Sequence, residues 1–344
     1  MLSKARQLFE NGPGRTLRDW YYTFMPSQST IFSPDRCCLS IDQGKIFLVH
    51  VRKTDKLAEL ALSQTLNYRH IKEIKPILAE VVEKHALDGI RCSLILRPEQ
   101  YQLLQTEALP VAPSEFQSAI RWKVKDLIRF PVDDAVIDSF SLPAAKLPTS
   151  LNTIMLVIAR ASILKPLCDQ ISASGLKLTT IDIPELSFRN LTALYEKDEK
   201  STALIYMQEE KSQLIVTNQQ KFYFSRHFGF GIQQLQAALA NKEENKGLEE
   251  LVNEAALDIQ RSFDYYQSQW RLSEPARVFL ETLTPISLDL TELLSQRLNI
   301  KVNKIDLNEY FTNKAQVDLK RDGYFLPLLG GVLRDWEPNY ATGN

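Results

Sequence analysis

The apolar and polar positions at the start of the chain predict short buried strands around one helix. Two almost wholly apolar runs are joined by Asp42-Gln43-Gly44, a combination that is typical of a tight turn between strands. A later segment has apolar residues at helical spacing on one face, and a short apolar run follows it. In order, the predicted elements are three strands, a helix and a fourth strand: Cys37 to Asp42, Ile46 to Val51, Leu60 to Leu66, Ile71 to His85, and Leu94 to Leu96.

The same order of elements returns in the second half of the chain. Three successive strands come before the clearest amphipathic helix of the sequence, whose apolar residues form one continuous stripe. The predicted elements are Ala203 to Met207, Ser212 to Thr217, Lys221 to His227, Leu248 to Tyr266, Val278 to Leu280, Leu288 to Leu298, and Pro327 to Arg334. This repeat predicts a duplicated α/β unit.

A smaller α/β segment lies between the two halves. Ser114 and Gln117 have the spacing of a capping box, which predicts a helix start, and Phe130-Pro131 predicts the end of that helix. Ile154 to Ala159 predicts a strand, and Ser162 to Ser174 predicts a helix that Gly175 closes. We interpret this segment as an insertion into the first domain.

These patterns divide the chain into four parts. The aperiodic start predicts an N-terminal extension, and the two halves predict two domains of similar layout. The predicted parts are an extension at 1–35, a first domain at 36–96 with 179–200 and 325–344, an insert at 97–178, and a second domain at 201–324.

Composition narrows the classes of function. The net charge of -1 with 24% charged residues argues against a nucleic-acid partner. The sequence has no run of ~20 apolar residues, so we expect no direct membrane insertion. It also lacks the HExxH, GxSxG and Walker A motifs, and its histidines and cysteines lack metal-ligand spacing. The four cysteines are expected to be buried, reduced thiols: Cys37, Cys38, Cys92 and Cys168.

Several stretches resemble, in order and spacing, the PilM/MshI family of type IV pilus biogenesis proteins, relatives of FtsA. The resemblance covers about residues 36 to 335. It is carried by Leu109-Pro110 through Phe130-Pro131, Gly175-Leu176 with Ile181 to Glu185, Phe224-Ser225-Arg226 with Gly229-Phe230-Gly231, Glu254 to Tyr266, and Gly331 to Arg334. The resemblance implies an α/β, actin-like (ribonuclease H-like) fold of duplicated domains with an inserted small α/β subdomain.

An active nucleotide site in this fold needs two hairpins that each carry an aspartate and a glycine, because the aspartates hold Mg²⁺ and the turn amides face the phosphates. The first hairpin is retained in part, with Asp42 and Gly44 in place, but Lys45 stands where a small hydroxyl residue is expected. Asp42, Gly44 and Lys45 are therefore the candidate residues of a degenerate nucleotide site.

The second hairpin and the adenosine motif are lost. Tyr206 stands in the place of the second aspartate, and Gln208 stands in the place of its glycine. Thr282 to Thr284 replace the glycines that let adenosine approach the backbone, and Glu281 would add a carboxylate near an anionic ligand. We expect no enzymatic activity and no cofactor, with binding of ATP and Mg²⁺ as the alternative. The degraded motifs favour the MshI branch, which serves mannose-sensitive haemagglutinin (MSHA) pili.

The resemblance implies a scaffold that binds a cytoplasmic peptide of a bitopic inner-membrane partner of the PilN/MshJ type. This would place the protein in the cytoplasm, peripheral to the inner membrane through that partner. Phe116, Trp122 and Phe130 are candidate residues of the peptide groove, and the competing interpretation is that they pack the core of the insert.

Two other functions remain open at this point. The protein could be an active actin-like ATPase in pilus biogenesis, or a GspL-like cytoplasmic component of type II secretion. Because GspL-like proteins continue into a membrane helix and this sequence ends at Asn344 without one, a separate protein is favoured.

Overall fold

The computed structural model describes residues 35–54, 58–112, 114–144, 152–196, 198–240, 245–315 and 323–334. The predicted N-terminal extension lies outside the described residues except for its last residue, which opens the first strand. The last ten residues of the predicted first domain, 335–344, also lie outside them.

In chain order, the strands and helices are β1 (Asp35–Asp42), β2 (Lys45–Lys53), β3 (Ala58–Asn67), α1 (Ile74–His85), β4 (Arg91–Ile95), β5 (Tyr101–Glu107), α2 (Phe116–Val124), β6 (Ala135–Ser141), β7 (Thr153–Arg160), α3 (Ala161–Ser172), β8 (Lys177–Asp182), α4 (Pro184–Ala193), β9 (Thr202–Met207), β10 (Ser212–Asn218), β11 (Lys221–Phe228), α5 (Ile232–Ala240), α6 (Asn245–Trp270), β12 (Arg277–Thr282), α7 (Leu290–Leu298), β13 (Val302–Asn303), β14 (Phe311–Asn313) and α8 (Leu326–Val332).

Five strands of the first sheet have the same order as the five strands of the second, and β14 is added at one edge of the first. The first is β14-β3-β2-β1-β4-β8, and the second is β11-β10-β9-β12-β13. In each sheet, the first three strands form two successive antiparallel hairpins. Further strands then pair in parallel on the free side of the first strand: β4 and β8 beside β1, and β12 and β13 beside β9. The duplicated α/β unit that the sequence predicted is therefore present.

Helix α8 lies against β1 and α4 and joins the end of the described chain to the first domain. This approach is close enough to require glycine at two successive positions. A β-carbon on Gly331 would lie 2.6 Å from the Cys38 Sγ atom, and one on Gly330 would collide with the Ser187 backbone. The side chain of Arg334, just after the helix, forms a buried ion pair with Asp182 at 2.9 Å.

The insert has its own three-stranded antiparallel sheet, in the order β5-β7-β6. Helix α2 packs on this sheet through Ile120 and Val124, and the buried strand residues Ile137 and Ile158 belong to the same small core. The predicted capping box is wrong, because α2 begins at Phe116 after an N-cap residue that makes no side-chain capping bond.

Two strands cross the predicted domain bounds. β8 begins at Lys177, inside the range predicted for the insert, and pairs with β4 in the first sheet. β14 lies within the range predicted for the second domain but pairs with β3 of the first sheet. Among the described residues, no helix is long and apolar enough to cross a membrane.

Candidate functional site

A cleft with a volume of about 510 Å³ is lined by residues of both the first and the second domain. The β1–β2 turn borders it on one side, and the β9–β10 turn borders it on the other. These turns are the two hairpins that correspond to the predicted degenerate nucleotide site.

The first turn has the expected shape, but only part of it reaches the cleft. Gly44 has a φ of 76°, and a β-carbon there would lie 3.3 Å from the Tyr68 carbonyl oxygen, so glycine suits this turn. Lys45 is exposed and pairs with Asp42 in the hairpin. Of the three predicted nucleotide-site residues, only Asp42 lines the cleft.

The carboxylate of Asp42 already has protein partners. It forms an ion pair with the guanidinium of Arg97 and accepts a hydrogen bond from the Gln43 backbone N–H. Arg97 is also 3.1 Å from Glu99 through its Nε atom, and its backbone N–H donates to the Gln100 side chain at 2.8 Å. A hydrated Mg²⁺ ion at Asp42 would have to compete with this guanidinium.

The second turn presents a phenol where a metal-binding aspartate is needed. Tyr206 is 2% exposed, and its hydroxyl donates to the Gly323 carbonyl oxygen at 3.0 Å. Burial raises the pKa of this phenol well above its ordinary value, so the group is neutral. A neutral phenol whose hydrogen is directed at a carbonyl is a poor replacement for a carboxylate ligand.

The N-terminus of α5 lies behind the second turn, and its amides bond within the protein. The backbone N–H groups of Ile232 and Gln233 donate to the carbonyl oxygens of Gln208 and Glu209, each at 2.9 Å. The Gln208 N–H closes the turn on the Lys211 carbonyl oxygen at 2.9 Å. These amides are therefore unavailable to a phosphate in this conformation.

The predicted adenosine side of the cleft is filled by the chain itself. Thr282 and Leu283 are buried, and a β-carbon on Gly323 would collide with the backbone of both. The next residue, Tyr324, stacks on Phe47 with ring centroids 4.6 Å apart. The segment that follows β14 in the chain thus covers the place where glycines would admit adenosine.

Glu281 was predicted to place a carboxylate near a bound anionic ligand, but it lies away from the cleft. Its carboxylate accepts a hydrogen bond from the Ile305 backbone N–H at 2.6 Å, and it does not line the described cleft. It lies on β12 in register with Tyr206, where its side chain has a structural partner.

The charges that line the cleft favour neither a free triphosphate nor a dedicated metal. Four acidic side chains, those of Asp42, Glu99, Glu209 and Glu210, face two basic ones, those of Arg97 and Lys211. Within the described residues, no group of three or more His, Cys, Asp or Glu side chains is arranged to hold a metal ion.

A second cavity of about 450 Å³ lies on the other side of the Asp42–Arg97 pair and shares that pair with the cleft. Its apolar wall includes Ile71 and Ile163, each 38% exposed, and Pro166 on α3. We call this cavity the α3 groove. Two exposed isoleucines in one concave surface suit an apolar ligand segment.

The insert supports the end of the α3 groove through Asp134. This carboxylate accepts hydrogen bonds from the Ser162 backbone N–H at 2.8 Å and from its hydroxyl at 2.6 Å, and Arg160 is 3.2 Å away. The two hydrogen bonds from Ser162 are the main reason that the pKa of Asp134 is lowered. The start of α3 is thus held between the insert and the first domain.

The predicted peptide-groove residues lie elsewhere on the insert. Phe116 and Phe130 are partly buried against its small core, and the Arg160 guanidinium lies 5.4 Å from the centre of the Phe130 ring. Trp122 is 72% exposed, with the Lys125 ammonium 5.2 Å from its ring. None of the three aromatic residues lines the cleft or the α3 groove. Ile71 and Ile163, the exposed apolar residues of the α3 groove, were not predicted as candidate site residues, because an isoleucine at the surface has no distinct sequence pattern.

Comparison with known proteins identifies the fold. No family model matches this sequence, and no curated protein matches it. The PilM–PilN type IV pilus biogenesis complex contains a chain that is similar in structure, with a TM-score of 0.65 at 15% identity, over 88% of this chain and 99% of that one.

Two weaker structural similarities are also found. The cytoplasmic domain of EpsL, an inner-membrane component of the Vibrio cholerae type II secretion system, has a TM-score of 0.46 at 12% identity, over 87% of this chain and 94% of that one. A Bacteroides thetaiotaomicron protein with an actin-like ATPase fold has a TM-score of 0.46 at 5% identity, over 79% and 91%. The chain has the predicted actin-like α/β fold, with duplicated domains and an inserted subdomain.

Proposed function

We propose that this protein is a cytoplasmic scaffold of a type IV pilus assembly machinery that binds a cytoplasmic peptide of a PilN/MshJ-like inner-membrane protein. The proposal is supported by the fold shared with a chain of the PilM–PilN complex and by the family motifs in the sequence. Binding such a peptide would hold the protein at the inner membrane. The degraded hairpins favour the MshI branch and an MSHA pilus within this proposal.

One observation carries the proposal that the scaffold is not an ATPase. Both hairpins that would hold Mg²⁺ and phosphate are engaged by the protein's own groups: Asp42 by Arg97, and Tyr206 by the Gly323 carbonyl. A charge-assisted pair with Arg is among the stronger side-chain interactions, so a metal–nucleotide complex would gain little by displacing it. No cofactor is therefore part of the proposed function.

We propose the α3 groove as the peptide site. A peptide with an apolar side chain could cover Ile71 and Ile163, which are still about one-third exposed. Complete burial of an isoleucine stabilises by ~1.5–3 kcal/mol, so covering the remaining third of both would contribute on the order of 1–2 kcal/mol. The basic and acidic groups at the shared wall, Arg97 and Glu99, would orient polar groups of the peptide.

Fluorescence anisotropy of a labelled peptide tests this site. The peptide carries the cytoplasmic segment of the PilN-like protein from the same organism. We expect Ile163→Asp to weaken binding at least about tenfold, equivalent to ~1.4 kcal/mol, because it removes one apolar contact and also places a charge against the apolar ligand. Leu257→Asp is the matched control, because Leu257 is 50% exposed on α6 and lines neither cavity.

Three results would alter the proposal. Failure of the unmodified protein to bind the peptide would remove the scaffold function. Equal binding by the Ile163 and Leu257 variants would remove the α3 groove as its site. A loss of binding in Trp122→Ala with no loss in Ile163→Asp would instead favour the aromatic surface of the insert.

A thermal-shift titration with Mg-ATP and Mg-ADP tests the absence of a nucleotide function. A ligand at 100 times its dissociation constant stabilises the folded state by about 2.7 kcal/mol, which is a clear shift. We expect none. A shift that requires Mg²⁺ would favour an actin-like ATPase, the alternative function of this fold.

A further inference from the structure

A wholly buried carboxylate lies where three parts of the molecule meet. Glu185, near the start of α4, has 0% exposure. Its Oε2 atom accepts a hydrogen bond from the Tyr101 hydroxyl of the insert at 2.6 Å. Its Oε1 atom accepts one from the Gln213 side-chain amide of the second domain at 2.7 Å. One side chain of the first domain thus joins the insert to the second domain through neutral donors.

The insert also contacts the second domain away from Glu185. The Phe140 ring at the end of β6 lies edge-on to Phe222 of β11, with centroids 5.6 Å apart and an interplanar angle of 83°. Just beyond β6, the Pro143 carbonyl oxygen accepts a hydrogen bond from the Trp270 indole N–H at 3.0 Å. The insert is therefore attached to the second domain directly at the end of β6 and indirectly, through Glu185, at the start of β5.

These contacts oppose a change in the width of the cleft. A rotation of the second domain away from the insert would separate Phe140 from Phe222 and Trp270 from Pro143. It would also strain the two hydrogen bonds to the Glu185 carboxylate. The loss of a hydrogen-bond donor to a buried carboxylate destabilises the folded state. Across the mouth of the cleft, Lys211 and Glu99 approach to 3.8 Å, which adds a weaker contact between the same two bodies.

We propose that the Glu185 junction, together with the Phe140 and Pro143 contacts, is an internal latch that holds the insert and the second domain in one orientation. The latch keeps the cleft at its present width with no ligand bridging the two domains. The protein's own side chains thereby make the bridge between the insert and the second domain.

Distance measurement between two spin labels tests the latch. We place the labels on exposed positions, with Asp126→Cys in the insert and Gln236→Cys on α5 of the second domain. The four native cysteines are at most 4% exposed, so labelling is selective for the introduced pair. Double electron–electron resonance then reports the distribution of distances in the full chain without ligand.

The latch is weakened by removing two hydrogen-bond donors, with an aromatic side chain retained at both positions, in the double variant Tyr101→Phe/Trp270→Phe. We expect one narrow distance in the parent protein and a distribution at least about twice as wide, or a second distance, in the variant. Tyr68→Phe is the matched control, because its hydroxyl donates to the Asp42 carbonyl oxygen within the first domain, and it should match the parent.

Two outcomes would overturn the latch: a broad or double distribution in the ligand-free parent, or an unchanged distribution in the folded double variant. If circular dichroism shows that the double variant does not fold, Tyr101→Phe alone replaces it under the same criterion. The measurement uses no peptide and no nucleotide, so failure of peptide binding and failure of the latch are separate results.

Discussion

The buried carboxylate of Glu185 makes a quantitative prediction about stability and pH. Burial, above all, raises the pKa of Glu185 from its ordinary 4.5 to about 6, and the nearby Asp182 carboxylate acts in the same direction. The hydrogen bonds from Tyr101 and Gln213 act in the opposite direction without cancelling the burial. The folded state therefore retains the proton of Glu185 to a higher pH than the unfolded chain does.

The sign and size of the effect follow from linkage. Between the two pKa values the folded state binds more protons, so the free energy of unfolding is highest below the unfolded pKa and falls as pH rises through the folded one. At ~1.36 kcal/mol for each pKa unit, the shift from 4.5 to about 6 corresponds to about 2 kcal/mol. We expect the protein to lose about that much stability at this site between about pH 4 and about pH 7.

The substitution Glu185→Gln isolates this contribution, because the amide is uncharged at every pH in the window. Urea denaturation gives the free energy of unfolding of each protein at each pH. As pH rises over this window, the parent protein should lose about 2 kcal/mol relative to the variant. Asp138, whose pKa burial raises to about 6, is present in both proteins and cancels in the difference. The exposed Glu250→Gln is the control and should show a constant difference.

A constant difference for Glu185→Gln would refute the reasoning. It would mean that Glu185 ionises in the folded protein at its ordinary pH, and that water or a conformational change reaches the junction. The same result would weaken the case for a tightly closed contact between the insert and the second domain.

Three further predictions concern the core. Burial raises the pKa of Cys37 to about 12, and all four thiols are buried. The native protein should therefore react with Ellman's reagent only on unfolding, and rapid labelling of any thiol in the native protein would contradict this packing. Gly331→Ala should lower the free energy of unfolding by about 1–3 kcal/mol through overpacking, whereas Gly247→Ala, with open space around it, should not; equal denaturation midpoints would contradict this. Arg334→Met should cost about 3–5 kcal/mol in urea denaturation because it leaves Asp182 buried without its guanidinium, and a loss below ~1 kcal/mol would count against that role.

The sequence predicted the elements whose local pattern agrees with their place in the fold. Ala203 to Met207 has the pattern of a buried strand, and all six residues of β9 are buried in the centre of the second sheet. The predicted stripe from Leu248 to Tyr266 lies within α6, where Val252 and Ile259 are buried. Both predictions succeed because burial on a fixed face leaves a periodic signal.

Elements that depend on distant partners left no such signal. β14 is three residues long and exists through its pairing with β3, about 250 residues earlier in the chain. β5 alternates weakly because much of it is only half buried. Arg97 resembles a surface residue in sequence, although in the fold it crosses to Asp42 and separates the cleft from the α3 groove.

The departures from an active site are mutually dependent in this structure. A buried phenol needs an acceptor, and the Gly323 carbonyl supplies one to Tyr206. Gly323 reaches that position by packing on Thr282 and Leu283, so the same segment that accepts from the phenol covers the residues that replace the adenosine glycines. An aspartate at position 206 alone would leave the Gly323 carbonyl oxygen without its donor, and its charge in this buried position would be destabilising. A nucleotide site of the kind described above would therefore need changes on both hairpins, at residues 282–284 and in the segment that begins at Gly323. This interdependence is a physical reason for the present cleft to persist in an actin-like fold.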